Sequence, residues 1–127
     1  MINGYINNNN LKMEEKMGFQ RVAEIQEFEK IDKKLIELDD KKILLTKVEG
    51  NYYAISNKCP HMGGSLYEGS LQDGVITCPR HGAKYDAKTG KGLGKPKILF
   101  LEFKMHDDRS YPVMVEGSDI LIDINAE

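Results

Sequence analysis

Two short motifs organise this sequence, Cys59-Pro60-His61-Met62-Gly63-Gly64 and Cys78-Pro79-Arg80-His81-Gly82-Ala83. They contain both cysteines of the chain and two of its three histidines, and sixteen residues, 62 to 77, separate His61 from Cys78. Each motif begins with Cys-Pro and continues into glycine, which allows a backbone to wrap closely around a bound object. Two thiolates and two imidazoles together make a four-ligand set for a borderline-soft metal.

The order of these ligands bears on which metal they hold. A structural zinc site accepts two cysteines and two histidines, but it usually pairs cysteine with cysteine and histidine with histidine. Here each motif supplies one of each, as Cys-x-His and Cys-x-x-His. That interleaving suits a two-iron cluster in which one iron binds both thiolates and the other binds both imidazoles. Zinc is the alternative, and a disulfide between Cys59 and Cys78 is the least favoured reading.

With this pattern, residues 19 to 124 resemble the Rieske-type [2Fe–2S] ferredoxins. The resemblance implies one [2Fe–2S] cluster per chain, with Cys59 and Cys78 on the inner iron. It implies that His61 and His81 bind the outer iron through Nδ1. Their other ring nitrogens would face solvent at the tip of the molecule, where an electron could pass to a docked partner.

Three further residues are assigned to the surroundings of the cluster by the same resemblance. Tyr85 stands where high-potential members place a tyrosine hydroxyl that stabilises the reduced cluster, and Ala83 stands where they place a serine. The loss of one hydroxyl predicts a potential in the lower half of the range of about −150 to +300 mV. Pro96 would belong to a loop that covers the cluster from a third side, with its φ angle restricted by the ring.

Outside the motifs the sequence is typical of an all-β protein, because short apolar runs alternate with turn residues. The resemblance implies the Rieske iron–sulfur fold, a small antiparallel β-sandwich or barrel with two cluster-binding loops. Residues 1–18 are expected to form a flexible N-terminal extension, and residues 19–127 the Rieske [2Fe–2S] domain. Strands are expected at 19–25, 35–38, 43–48, 52–55, 75–77, 98–105, 111–116 and 120–123, and polar turns at 32–34, 39–40, 49–51, 69–74, 86–90 and 107–109.

Composition excludes several classes of protein. The chain has 127 residues and a net charge of −2, which fits one domain with no bias toward nucleic acid. No apolar run approaches the ~20 residues that span a bilayer, and no signal-peptide pattern opens the chain. Rieske proteins of the cytochrome bc complexes carry an additional cysteine in each cluster loop, where this chain has Gly64 and Arg80. We therefore expect a cytoplasmic protein that binds neither nucleic acid nor a membrane.

These observations predict an electron-transfer protein and not an enzyme. Oxygenase chemistry at a mononuclear iron needs two histidines and a carboxylate, and only His106 lies outside the two motifs. The resemblance implies a one-electron carrier that accepts from a flavoprotein reductase and donates to a terminal oxygenase. The alternatives are the small subunit of an assimilatory nitrite reductase and a zinc-stabilised interaction domain.

Overall fold

The computed structural model describes residues 18–60, 63–80, 82–93 and 106–126, together with the backbone of three short strands at 5–7, 97–98 and 101–102. In this part of the chain the regular structure is β-strand and two 3-10 helices. The strands are β1 (Tyr5–Asn7), β2 (Phe19–Glu24), β3 (Lys33–Leu38), β4 (Lys41–Val48), β5 (Asn51–Ser56), β6 (Ser70–Gln72), β7 (Val75–Thr77), β8 (Lys84–Asp86), β9 (Lys97–Ile98), β10 (Leu101–Glu102), β11 (Ser110–Tyr111), β12 (Val113–Glu116) and β13 (Asp119–Asp123). The helices are η1 (Ile25–Glu29) and η2 (Leu66–Glu68). The prediction of an all-β fold is confirmed.

The strands are arranged around a central antiparallel sheet with the order β11-β5-β4-β3. A second sheet has the order β1-β12-β13-β2, in which β1 is parallel to β12 and the other pairs are antiparallel. A third sheet, β6-β7-β8, is antiparallel and carries the second cysteine motif between β7 and β8. Strands β9 and β10 form a separate antiparallel pair.

Strand β4 shows why residues 43 to 48 are almost continuously apolar. Successive side chains of a strand point to opposite faces, and in β4 both faces are buried. Ile43 and Leu45 point into the first of two cores, and Leu44 points into the second. The first, the sandwich core, comprises Ala23, Phe28, Ile36, Ile43, Leu45, Tyr52, Ala54, Tyr111, Val113, Ile120, Ile122 and Ile124. The second, the site core, comprises Leu44, Ile55, Cys59, Leu66, Ile76, Cys78, Ala83 and Tyr85.

Three tight hairpins set the registers that build these layers. Residue pairs Leu38↔Lys41, Val48↔Asn51 and Gln72↔Val75 close two-residue loops. Both loop residues have positive φ in every case, at 39–40, 49–50 and 73–74. This conformation matches the twist of the flanking strands. The register in turn decides which side chains of β4 and β5 face the site core.

The structure corrects several predicted boundaries. Lys33 and Lys34, predicted as part of a turn, lie in β3, and residues 70–72, predicted as a turn, form β6. Both are edge strands of their sheets, where polar side chains reach solvent and hide the strand from a hydropathy pattern. Helix η1 was not predicted, and the predicted strand at 98–105 is described only as far as residues 97–98 and 101–102.

The segment expected to be a flexible extension contains β1, whose backbone pairs with residues 113–115 of β12. The rest of residues 1–17 lies outside the described residues, so the division of the chain into an extension and a domain stays a prediction. Among the residues that the structure describes, no helix has the length and apolar character needed to cross a membrane.

Candidate metal centre

Both cysteines lie in the site core. Cys59 follows β5 and Cys78 follows β7, and their exposed fractions are 0% and 1%. The two residues are nineteen apart in sequence, yet they pack into one cluster with Leu44 and Ile76 beneath them. They do not form a disulfide with each other. Two buried thiol groups in one core are suited to binding a soft or borderline metal together.

The two cysteine loops share one backbone arrangement. The N–H of Cys59 donates to the carbonyl oxygen of Gly64 at 2.8 Å, and the N–H of Gly63 donates back to the carbonyl of Cys59 at 2.8 Å. In the second loop the N–H of Cys78 donates to Ala83 at 2.7 Å, and the N–H of Gly82 donates back to Cys78 at 3.1 Å. Each loop is therefore closed by the same pair of hydrogen bonds. The cysteine N–H donates to the carbonyl five residues later, and the N–H four residues later donates to the cysteine carbonyl.

This arrangement accounts for the glycine that ends each Cys-Pro-x-x-Gly motif. Gly63 has a φ of +73° and Gly82 a φ of +74°, a left-handed conformation that other residues adopt only at a cost. Pro60 and Pro79, which follow the two cysteines, are exposed, while the cysteines themselves stay buried. The shared motif noted in the sequence is thus a backbone requirement of the loop and not only a ligand pattern.

The loops also pack directly against each other. A Cβ atom added to Gly64 would lie 3.2 Å from Cys78 Sγ and 3.0 Å from Cγ of Arg80. Both distances are too short for an ordinary side chain without movement of the neighbour. Gly64 and Arg80 are the positions at which the cytochrome bc type carries its additional cysteines, and the structure places them side by side. In this chain the contact is made by packing instead of a disulfide.

Tyr85 reaches from the second loop to the cysteine of the first. Its hydroxyl lies 3.4 Å from Cys59 Sγ, and its side chain is fully buried. Burial, followed by the contact with Cys59, raises the pKa of Tyr85 far above its ordinary value, so the phenol keeps its proton. A metal-bound cysteine is a thiolate and cannot donate, so the Tyr85 hydroxyl would be the donor in the loaded protein.

Ala83 lies at the predicted position in the site core, with 2% of its surface exposed. Its carbonyl closes the second loop, and its methyl group offers no hydrogen bond to a sulfur atom. His61, His81 and Pro96 lie outside the described residues. Of the predicted site residues, the structure therefore brings together Cys59, Cys78, Ala83 and Tyr85, and the roles of the other three stay predictions.

Asn57 supports the first loop and was not identified from the sequence. It is 4% exposed. Its side-chain nitrogen donates to Ser65 Oγ at 2.9 Å, and its Oδ1 accepts from the N–H of Tyr67 at 2.7 Å. These bonds join the two ends of the loop just outside the Cys59 turn. No local motif marks this residue, because its partners lie eight and ten positions away.

Asp108 was predicted to lie in a polar turn, yet the structure buries it. Only 8% of its surface is exposed, although its neighbours Asp107 and Arg109 are exposed. Its backbone N–H donates to the carbonyl of Gly90 at 2.6 Å, which holds the 106–109 segment against the turn after β8. The run Asp-Asp-Arg gave no sign of this, because burial here depends on a contact between segments eighteen residues apart.

Comparison with known proteins agrees with this geometry. The Rieske [2Fe-2S] domain family matches residues 18–99 of the chain. The chain belongs to the Rieske [2Fe-2S] domain family. Its Rieske domain is 43% identical over 83 residues to the 3-phenylpropionate/cinnamic acid dioxygenase ferredoxin subunit of Shigella boydii serotype 4 (strain Sb227), covering 65% of this chain and 72% of that protein.

Solved structures show the same fold. The ferredoxin of carbazole 1,9a-dioxygenase from Nocardioides aromaticivorans IC177 is 27% identical, with a TM-score of 0.70 over 82% of this chain and 95% of that chain. A chain in the complex of reduced oxygenase and oxidized ferredoxin in carbazole 1,9a-dioxygenase is 20% identical, with a TM-score of 0.73 over 86% and 95% of the two chains. The predictions of the family and of the Rieske fold are confirmed.

Membership of the family implies a [2Fe–2S] cluster, and the described residues of this Rieske domain fit one. Two buried cysteine side chains share one apolar core. Tyr85 offers a hydroxyl to one of the sulfur atoms, as cluster sulfurs commonly require. Ordinary zinc sites, in contrast, place their ligands in Cys-x-x-Cys and His-x-x-x-His pairs. The donor set thus favours the iron cluster over zinc.

Proposed function

We propose that this protein is a one-electron carrier that accepts electrons from a flavoprotein reductase and donates them to the terminal oxygenase of an aromatic-ring dioxygenase system. The observation that carries the proposal is the coincidence of Rieske family membership with two buried cysteines in one core, held by two identically closed loops. The relative in Shigella boydii is a dioxygenase ferredoxin subunit, which favours a carrier over a nitrite reductase subunit. We place the carrier in the cytoplasm, as both cysteines are used for metal.

The proposed ligand set is Cys59 and Cys78 for one iron and His61 and His81 for the other. When bound, the cluster accepts and releases one electron at a time. Cys59 and Cys78 would hold its inner side within the site core, out of water. In the sequence, His61 and His81 each fall between a cysteine and the residues whose backbone hydrogen bonds to that cysteine close the loop. Fixed loops keep the ligands in one geometry in both oxidation states, which favours rapid electron transfer.

Replacement of single histidines tests the ligand set. His61→Ala and His81→Ala should each abolish the rhombic EPR signal that a mixed cysteine–histidine cluster gives on reduction with dithionite. His106→Ala is the matched control, because His106 is exposed and lies outside both motifs. The control should keep the iron and sulfide content and the EPR signal of the wild type. A normal spectrum in either ligand variant would show that the ligand set is wrong.

Transfer to a partner tests the carrier role separately. The loaded protein, mixed with NADH and the reductase of a dioxygenase ferredoxin system, should be reduced and then reoxidised on addition of the terminal oxygenase with its aromatic substrate. Loss of the oxidised visible absorption and its return provide the measurement. A protein that holds its cluster but is reoxidised only by a sirohaem-containing reductase would be the nitrite reductase subunit instead.

A further inference from the structure

Asp108 is a buried carboxyl group that has no assigned role in the metal centre described above. The residue is 8% exposed. One carboxylate oxygen, Oδ1, accepts the backbone N–H of Arg109 at 2.9 Å. The other, Oδ2, is buried and has no hydrogen-bond partner among the residues that the structure describes. A buried polar atom without a partner is costly, so its retention calls for an explanation.

The backbone of Asp107 and Asp108 is held in place by contacts with Gly90 and Gly92. The backbone N–H of Asp108 donates to the carbonyl of Gly90, and a Cβ atom added to Gly90 would come within 2.3 Å of the Asp108 carbonyl oxygen. The neighbouring Asp107 accepts the N–H of Gly92 through its Oδ1 at 2.8 Å. These contacts fix the 107–108 backbone against the segment that leaves β8, the strand that contains Tyr85. Asp108 is therefore a fixed feature of the site side of the molecule.

No positive charge neutralises Asp108 within the described residues. The guanidinium of Arg109, the adjacent cation, instead donates to the carbonyl of Ala126 and lies 5.0 Å from the ring centre of Tyr111. The charge of Asp108 does act on Tyr85, whose pKa it helps to raise. Tyr85 in turn contacts Cys59 Sγ at 3.4 Å. The negative charge of Asp108 is thus felt at the group that touches a proposed cluster ligand.

We propose that Asp108 tunes the metal centre through a proton: its carboxylate opposes the arrival of an electron at the cluster and takes up a proton when the electron arrives. This inference rests on the proposed function, since it requires the cluster to be bound. At a pH where the Asp108 carboxylate is ionised beside the oxidised cluster, one electron comes from the reductase in the reductive step and one proton from solvent binds to that carboxylate. In the oxidative step the electron passes to the acceptor and the proton returns to solvent.

The sign of the effect follows from the energetics of burial. Burial raises the pKa of the Asp108 carboxyl to about 8, although the N–H of Arg109 lowers it. Below this pH the group is neutral and does not oppose reduction. As the pH rises through this value the carboxylate forms and the midpoint potential falls. Because a reduced cluster is more negative, it raises the carboxyl pKa further, and the potential levels off once both forms are deprotonated.

Other titratable and charged groups surround this residue, and the experiment must separate them. On the neighbouring elements they are Tyr85 and Asp86 of β8, Lys88 and Lys91 of the segment that follows β8, Tyr111 of β11, and His106, Asp107 and Arg109 of the segment that contains Asp108. The proposed ligands His61 and His81 add their own pH dependence. A comparison between variants, and not the wild-type curve alone, isolates the contribution of Asp108.

The test is the midpoint potential of the cluster-loaded protein, measured over a pH series that brackets about 8. Asp108→Asn and Asp108→Leu should both have a higher potential than the wild type at alkaline pH, and the difference should vanish at acidic pH. Asp107→Asn is the matched control, because it removes the same charge from the neighbouring exposed residue and keeps an oxygen for the N–H of Gly92. This control should follow the wild-type curve. Redox-difference infrared spectra should show a protonated carboxyl band on reduction of the wild type that Asp108→Asn lacks.

The outcomes separate this inference from the proposed function. Visible spectra of the wild type test the proposed function, because wild-type protein that binds no iron and sulfide would count against it. If Asp108→Asn holds its cluster and its potential follows the wild-type curve at every pH, Asp108 has no tuning role. An equal change in Asp107→Asn would also overturn the inference, because the effect would then come from general surface charge.

Discussion

Tyr85 and Cys59 form the contact through which a single residue most directly affects the proposed cluster. The hydroxyl–sulfur distance is 3.4 Å inside a core that excludes water, and burial keeps the phenol protonated. A hydrogen bond to a sulfur ligand favours the form with more negative charge, which is the reduced form. Ala83 cannot make the second such bond. Tyr85 is consequently the hydroxyl donor that the described part of the site offers.

Tyr85→Phe should therefore lower the midpoint potential. If reduction strengthens this hydrogen bond by about 1 kcal/mol, its loss shifts a one-electron potential by about −40 mV. Tyr53→Phe is a suitable control, because Tyr53 is also buried but packs with Val48 and Ala87 away from the cysteines. Protein-film voltammetry at one pH measures both. Equal potentials for Tyr85→Phe and the wild type would show that the hydroxyl does not act on the reduced cluster.

The two cysteine loops are the elements on which the site depends. Each is closed by two backbone hydrogen bonds to its cysteine and ends in a glycine with a positive φ. Strands β5 and β7 deliver the loops from two different sheets, and Asn57 ties the ends of the first loop together. These backbone hydrogen bonds and left-handed glycines set the geometry in which the loops present their cysteines.

Gly82→Ala, a change within the second cysteine loop, should weaken cluster binding. A non-glycine residue in the left-handed region costs about 1–2 kcal/mol, which corresponds to about a tenfold faster loss of the cluster if the strain is relieved on release. Gly117→Ala places the same strain, at a φ of +61°, in the hairpin between β12 and β13. Among the described atoms, nothing lies within 4 Å of a Cβ added at either position, so neither variant adds a clash.

The decay of visible absorbance in the presence of an iron chelator measures this effect. The wild type and Gly117→Ala should lose absorbance at the same rate, because the control leaves both cysteine loops unchanged. Similar rates for Gly82→Ala and Gly117→Ala would mean that the left-handed turn is not what retains the cluster.

At the scale of the whole molecule, the central sheet separates two cores with different tasks. The sandwich core contains no cysteine and joins the central sheet to β2, β12 and β13. The site core contains both cysteines and lies on the opposite face. Because strand β4 contributes to both, it couples the metal centre to a scaffold that does not itself need the metal. The scaffold should therefore survive loss of the cluster.

Removal of the cluster tests whether the sandwich core stays folded when the site core loses its metal. After the iron is removed by acid and chelator, backbone amides of Cys59, Cys78 and Gly82 should exchange with solvent much faster. Amides of Ile120 and Ile122, in the sandwich core, should keep most of their protection, because local opening follows local contacts. Hydrogen exchange followed by mass spectrometry on both forms gives the comparison. Uniform loss of protection along the chain would show that the two cores fold only as one unit.

The sequence by itself determined the chemistry of the site and the class of the fold. The proposed ligand types, their order and the glycine of each motif fall within two short stretches, so local spacing was enough to predict them. The strands of the central sheet were also recognisable, since β4 and β5 are apolar over most of their length. The edge strands β3 and β6 were missed in part because their side chains are half polar and reach solvent.

Only the tertiary structure decided how distant segments meet. It placed Tyr85 of β8 against Cys59 of the first loop, and it buried Asp108 against Gly90. Neither contact has a signature in local sequence, because each depends on the registers of sheets that pair residues far apart in the chain. The burial of a carboxyl group depends on what packs around it, and packing is a property of the folded chain.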